Sequence, residues 1–318
     1  MSYLSSHWSL AWAVIVVCTG AVAVHLTGLR RMTAARRAAG RPAGMEHLLR
    51  EAAAFYSAVA TVLLAVVSPM GYWSGVFVWV RSVQDLLLAV VAPALIVLGA
   101  PWLPLSRGLR RAPQRRAGLP AGPGSGPDMP PPGRTAWWLA WPVGATVAFS
   151  VVWLGWHVPA LYDHAVTSAA VRYAEYLSYL GAGVLLWLQL IGSRPSSPVS
   201  PPLRRLKFLI ATVVADTVLG MVLVFGSGLL YPAYLNSRHH TLSVVADQQV
   251  GGAVLWMGIL PPLIVAAVAL LASWLEQEET EDLSRDLDRL TGQRAVGWAS
   301  GKGMSQAGRP SGLGHRLP

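Results

Sequence analysis

Residues 78–101, "VWVRSVQDLLLAVVAPALIVLGAP", form an apolar run long enough to cross a bilayer, yet Arg81, Gln84 and Asp85 interrupt it. A charge at the bilayer centre costs roughly 2.5–3.5 kcal/mol on insertion scales, so these residues need partners or a task. Arg81 and Asp85 stand four apart and share one helix face. Arg172, Glu175 and Tyr176 repeat the pattern at the start of the run 170–192. Two positive and two negative groups sum to zero, as a low-dielectric interior requires of ions that stay charged. Arg81, Asp85, Arg172 and Glu175 are therefore expected to form a neutral network between two facing helices. In the alternative, each arginine snorkels separately to the interface.

Other polar groups gather near the ends of apolar runs. His157 follows Trp156 in "WHVPALYDHAV", with Asp163 and His164 close behind. His239 and His240 lie in "LYPAYLNSRHHTLSVV", and Asp247, Gln248 and Gln249 open the last run. Imidazole nitrogen ligates transition metals, so the histidines are candidate ligands. Each also has a plain reading. His157 can be an interfacial histidine, and His239 and His240 can be loop residues. Asp247 can cap its own helix, and Gln248 can hydrogen-bond across helices. Asp216 lies in the middle of an apolar run and needs a proton or a hydrogen-bonding neighbour.

The elements that must hold these groups are membrane helices. Hydrophobic residues make up 53% of the 318 and charged residues only 13%, too apolar a balance for a soluble domain of this length. Seven runs, 8–29, 50–69, 76–100, 136–156, 170–192, 207–231 and 246–275, each reach the roughly 20 residues that a span requires. The expected fold is all-α: a polytopic membrane protein with a bundle of seven transmembrane helices over residues 1–275. A Pro- and Gly-rich linker is expected at 112–134, a short helical extension at 276–296 and a disordered tail at 297–318. Pro93 and the pair Pro261–Pro262 fall inside spans and are expected to kink them.

Charge sets the orientation. All basic residues except Arg81, Arg172 and Arg238 fall on one side of a seven-span arrangement. Basic loops stay in the cytoplasm, so the amino terminus is expected outside and the carboxyl terminus in the cytoplasm. The polar groups named above then lie in the outer leaflet or just outside it, with Asp216 as an exception. The net charge of +10 follows from these loops, so topology and anionic lipid explain it and nucleic acid does not. The first run lacks a basic leader and is followed by Arg30 and Arg31, unlike a cleaved signal peptide. Cys18 is the only cysteine, which excludes an intramolecular disulfide or a CxxC pair. No catalytic triad, phosphate loop or thiol site stands out, and the protein is not read as an enzyme. The lysines, Lys207 and Lys302, are absent from span centres, which disfavours a retinal protein. A transporter is disfavoured because no polar path continues inward beyond Asp216.

Five segments, "SVQDLLLAVVAPALIVLGAPW", "WHVPALYDHAV", "EYLSYLGAGVLLW", "LYPAYL" and "ADQQVGGAVLW", together resemble the CtaG family of cytochrome c oxidase assembly factors over about residues 45–275. The resemblance implies a multi-pass protein of a bacterial plasma membrane. It implies copper handling, or chaperoning of an oxidase subunit, at the outer membrane face. The implied partners are a cytochrome c oxidase subunit or other assembly factors, and the lipid bilayer. Where the family typically carries His-x-x-x-His in the third span, this chain has Arg81 and Asp85. Where a second such pair leads into the fifth-span motif, it has Arg172 and Tyr176. An arginine repels a cation instead of ligating it. The surviving candidate ligands are His157, Asp163, His239, His240 and Asp247, with Met70 as a thioether supplement for Cu(I). The expected intramembrane polar network comprises Arg81, Gln84, Asp85, Arg172, Glu175, Tyr176, Asp216 and Gln248. The alternative is a divergent membrane scaffold that has lost copper.

Overall fold

The computed structural model describes Trp8, residues 11–38, Gly40, and residues 45–109, 142–191, 201–236 and 242–306; from 286 onward it describes the backbone alone. Among the described residues the chain is all-helical. In order, the α-helices are α1 (Trp12–Ala38), α2 (Met45–Val66), α3 (Pro69–Trp73), α4 (Val78–Leu86) and α5 (Ala92–Gly99). There follow α6 (Trp102–Leu109), α7 (Pro142–Trp156), α8 (Pro159–Thr167), α9 (Ala169–Leu190), α10 (Pro202–Phe225) and α11 (Val244–Gln306). The expected linker at 112–134, along with His239 and His240, lies outside the described residues.

The chain is a multi-pass membrane protein. Five helical stretches are long and apolar enough to cross a bilayer: Trp12–Ala38, Glu46–Val66, Val78–Gly99, Pro202–Phe225 and Val244–Arg285. The pair α7–α8, bent by 70°, makes a sixth if it counts as one span. Helix α9 has 22 residues, but Arg172 and Glu175 near its start lower its apolar character. Side chains such as Val16, Val214, Val218 and Phe225 are exposed, as expected of a surface solvated by acyl chains.

The chain divides into two compact units, 1–270 and 271–318. Helix α11 continues into the second, to Gln306. Its polar face carries Arg285 paired with Glu281 at 3.1 Å. The first unit holds the core and the buried polar groups.

The third apolar run is one continuous helical path with a defect. Between α4 and α5 lies a π-helical turn, Leu87–Val91, in which the Ala92 amide donates to the Leu87 carbonyl. Pro93 follows at once and has no amide to donate, so the wider turn absorbs the misfit. Helix α9 packs directly on this bend. A Cβ at Gly183 would stand 2.2 Å from the Ala89 carbonyl oxygen and 2.6 Å from the Pro93 ring. Only a glycine permits that approach, and it seats α9 on the bend and on α5. Helix α11 approaches from another side, where a Cβ at Gly251 would meet Ser82 Oγ at 2.9 Å. Small residues at such crossings are the usual means of close helix packing in lipid.

Candidate functional site

Helix α4 turns most of its polar side chains inward: Arg81, Ser82, Gln84 and Asp85 are all buried. Facing them, α9 presents Glu175, with no exposed surface. Nη2 of Arg81 donates to both carboxylate oxygens of Glu175, at 2.6 and 2.8 Å. The guanidinium also lies 4.0 Å from the ring centroid of Tyr162 on α8. A desolvated cation over an aromatic face gains about 2 kcal/mol, which helps offset burial of the charge. Tyr162 stacks on Tyr231, with centroids 4.0 Å apart, and lies 6.1 Å from Tyr234. Arg81 is thus enclosed by one carboxylate and a cluster of tyrosines.

Asp85 occupies the next turn of α4 and does not bond to Arg81. Neither of its carboxylate oxygens has a hydrogen-bond partner among the described residues. His157 Nε2 lies 3.9 Å from Oδ2, a separation too long for a hydrogen bond. His157 is buried and its Nδ1 lies 2.7 Å from the Trp153 carbonyl oxygen. A carbonyl only accepts, so Nδ1 is the donor, and in the neutral ring Nε2 keeps its lone pair toward Asp85. Trp153 in turn donates from Nε1 to Asp216 Oδ1 at 3.1 Å. Asp216, α7 and His157 therefore form one connected polar chain beside the ion pair.

The other residues singled out from the sequence secure the backbone. Asp247 accepts from the amides of Val78 and Trp79, at 2.7 and 3.3 Å. It caps α4, whose N-cap residue Phe77 supplies no side-chain bond. This corrects the expectation that Asp247 caps its own helix; there the Ser243 hydroxyl accepts from the Ala246 amide. Gln84 donates to the Ala65 carbonyl at 2.6 Å, tying down the end of α2. Gln248 accepts from the Leu230 amide at 2.8 Å and donates to the Gly228 carbonyl at 3.2 Å. Arg172 donates from Nε to Ala165 and from Nη2 to Val166, closing the last turn of α8. It shares no hydrogen bond with Arg81 or Asp85. Tyr176 is buried against an apolar cavity beside α1 and α2. Asp163, on α8, is partly buried, and its Oδ1 has no hydrogen-bond partner among the described residues.

Copper fits this centre poorly. Among the described residues, no group of three His, Cys, Asp or Glu side chains could hold a metal ion. A guanidinium already occupies the space between α4 and α9, Glu175 is bonded to it, and Asp247 is bonded to backbone amides.

The sequence model of the cytochrome c oxidase caa3 assembly factors matches residues 23–277. The chain belongs to this family, the CtaG family. CtaG-family membership covers every helix of the buried centre, from α2 to the part of α11 that carries Asp247. An uncharacterised protein of Mycobacterium leprae is 26% identical over 222 residues, covering 65% of this chain and 31% of its own length. Uncharacterised proteins of Mycobacterium bovis and Mycobacterium tuberculosis are each 26% identical over 215 residues, covering 66% of this chain. The chain spans about a third of the length of these curated relatives, 31% and 32%. No solved structure matches it.

Sequence reasoning missed the aromatic enclosure. Tyr162, Tyr231 and Tyr234 are nearly inaccessible. All three lie within the segments "WHVPALYDHAV" and "LYPAYL", and tyrosines at the polar ends of spans next to unexplained charges were the available signal.

Proposed function

We propose that this CtaG-family chain takes part in assembly of a haem–copper oxidase by chaperoning an oxidase subunit in the plasma membrane, without ligating copper at its buried centre and without catalysis. The observation that carries this reading is the Arg81–Glu175 pair. A fixed guanidinium supplies the positive charge that joins two helices, and it repels any metal cation entering the same space. The centre then serves as a rigid polar hub on which partner-binding surfaces depend.

The reading includes seven spans, with the amino terminus outside and the carboxyl terminus in the cytoplasm. Two observations support it. Helix α9 is 22 residues long, about 33 Å at 1.5 Å per residue, enough to cross the hydrocarbon layer. The starts of α4, α9 and α11 and the end of α7 meet around one centre, as alternate ends of consecutive spans would. On this topology the hub lies in the outer leaflet, where an oxidase subunit or another assembly factor would dock.

The test is complementation of a strain lacking the protein, with oxidase followed by its reduced haem spectrum. Purified protein is loaded in parallel with Cu(I) under reducing conditions. The expected result is loss and recovery of assembled oxidase with no stoichiometric copper on the protein. Copper retained by the wild type and lost from His157→Ala would overturn the copper-free centre.

A further inference from the structure

Two cavities beside α9 share a wall. The larger, about 420 Å³, is lined by apolar atoms of α1, α2 and α9, among them Val14, Val17, Ala58, Val62 and Leu177. The smaller, about 160 Å³, is lined by Ala169, Arg172 and Gly71. Val66, Tyr173 and Tyr176 border both, so the two adjoin as a slot with an apolar body and a cationic end. Its origin is the uneven packing of α1. Near its end, α1 is pressed against α6, where a Cβ on Gly28 would come within 1.8 Å of the Pro104 carbonyl oxygen. Near its start, Val16 and Val17 are exposed and α1 stands away from α9.

An apolar space of this size lies within the range of pockets that hold small ligands, about 300–1,000 Å³. The slot is walled by helices in contact with lipid, so the available apolar occupant is an acyl chain. The cationic end favours an anion. Two of the three Arg172 nitrogens are committed to carbonyls of α8, and Nη1 makes no hydrogen bond among the described residues. The Glu175 carboxylate is bonded to Arg81, which leaves Arg172 as the charged group lining the smaller cavity. Ala169, the first residue of α9, also borders it, and the N-cap Ser168 makes no side-chain bond to the helix. A helix start adds donors and partial positive charge toward an anion.

We propose that this slot binds a single anionic phospholipid, one acyl chain lying between α1, α2 and α9 and the phosphate held at Arg172 and the start of α9. The site is separate from the Arg81–Glu175 centre and does not depend on the role proposed for it. An arginine guanidinium offers a phosphate charge-assisted hydrogen bonds, which favours an anionic headgroup at this end.

The test uses the full chain in phosphatidylcholine vesicles containing phosphatidylglycerol that carries a photoreactive group in mid-chain. A phosphatidylcholine probe with the same chain is the comparison, and labelled residues are mapped by mass spectrometry. Labelling of residues 13–21 and 58–66 should exceed that of the exposed α10 positions Val214 and Val218 several-fold, and the anionic probe should be favoured. Arg172→Gln should remove the headgroup preference, and Arg172→Lys should keep most of it. Ala58→Phe should reduce slot labelling and leave α10 labelling unchanged; Val17→Phe, at an exposed rim position, does the same if the buried change fails to fold. Slot labelling no greater than at α10, or equal for both headgroups in the wild type, overturns the proposal.

Discussion

Glu175 on α9 grips Arg81 on α4 with both carboxylate oxygens, at 2.6 and 2.8 Å, and neither side chain reaches solvent. The two residues are 94 positions apart in sequence. On the same helix as Glu175, Gly183 lets α9 pack on the π-helical bend that precedes Pro93. In this arrangement a buried ion pair joins α4 to α9.

Gly183→Val is expected to separate α9 from the bend. A side chain there must displace backbone, since the nearest atom to a Cβ is the Ala89 carbonyl oxygen at 2.2 Å. Overpacking of this kind costs about 1–3 kcal/mol. Gly181→Ala is the control, because a Cβ at Gly181 meets nothing within 4 Å. Thermal unfolding in detergent should show a clear loss for the first change and none for the second.

Asp247→Ala should destabilise the protein by about 1 kcal/mol, through loss of a helix cap. Asp247→Asn should retain most of the stability, since the amide oxygen still accepts from the Val78 and Trp79 amides. Hydrogen exchange should localise the loss to the first turn of α4. Equal stability of wild type and Asp247→Ala would remove the capping role.

Charges embedded in apolar runs were legible in the sequence, and so was the class of fold. Arg81 and Glu175 stood out because nothing in a bilayer tolerates them unpaired. Their pairing was less legible. Arg81 and Asp85 share a face four residues apart, yet Arg81 turns toward the neighbouring helix and Asp85 faces His157. Arg172 looked like a member of the same network, but α8 folds back at 70° to α7 and presents its last carbonyls to it. Asp247 sits at the start of its own helix, and only tertiary packing reveals that it serves α4. Local spacing encodes which side chains share a face; it does not encode which neighbour that face will meet.

Reporter fusions within residues 112–134 and after the last residue should both report the cytoplasm, as the proposed orientation predicts from the basic residues. A fusion before α1 should report the outside. A signal from the opposite side at either of the first two positions would invert the orientation of the polar centre.

Asp85→Asn should be milder than Glu175→Gln. Asp85 has no hydrogen-bond partner among the described residues, whereas Glu175 holds a buried cation. Breaking a buried pair by removing one member costs about 3–5 kcal/mol. Unfolding midpoints of the two variants check this order, and a reversed order would make Asp85 the essential counter-ion.

The most direct measurement is a double-mutant cycle on Arg81 and Glu175, read by both unfolding and oxidase assembly. Arg81→Met and Glu175→Met each leave one buried charge alone, and each should lower stability and assembled oxidase. The double variant replaces the pair with apolar side chains and should recover much of both, with a coupling energy of about 0.5–3 kcal/mol. A double variant as impaired as the sum of the singles would contradict the account, since the two charges would then act independently and the pair would not be what holds α4 to α9.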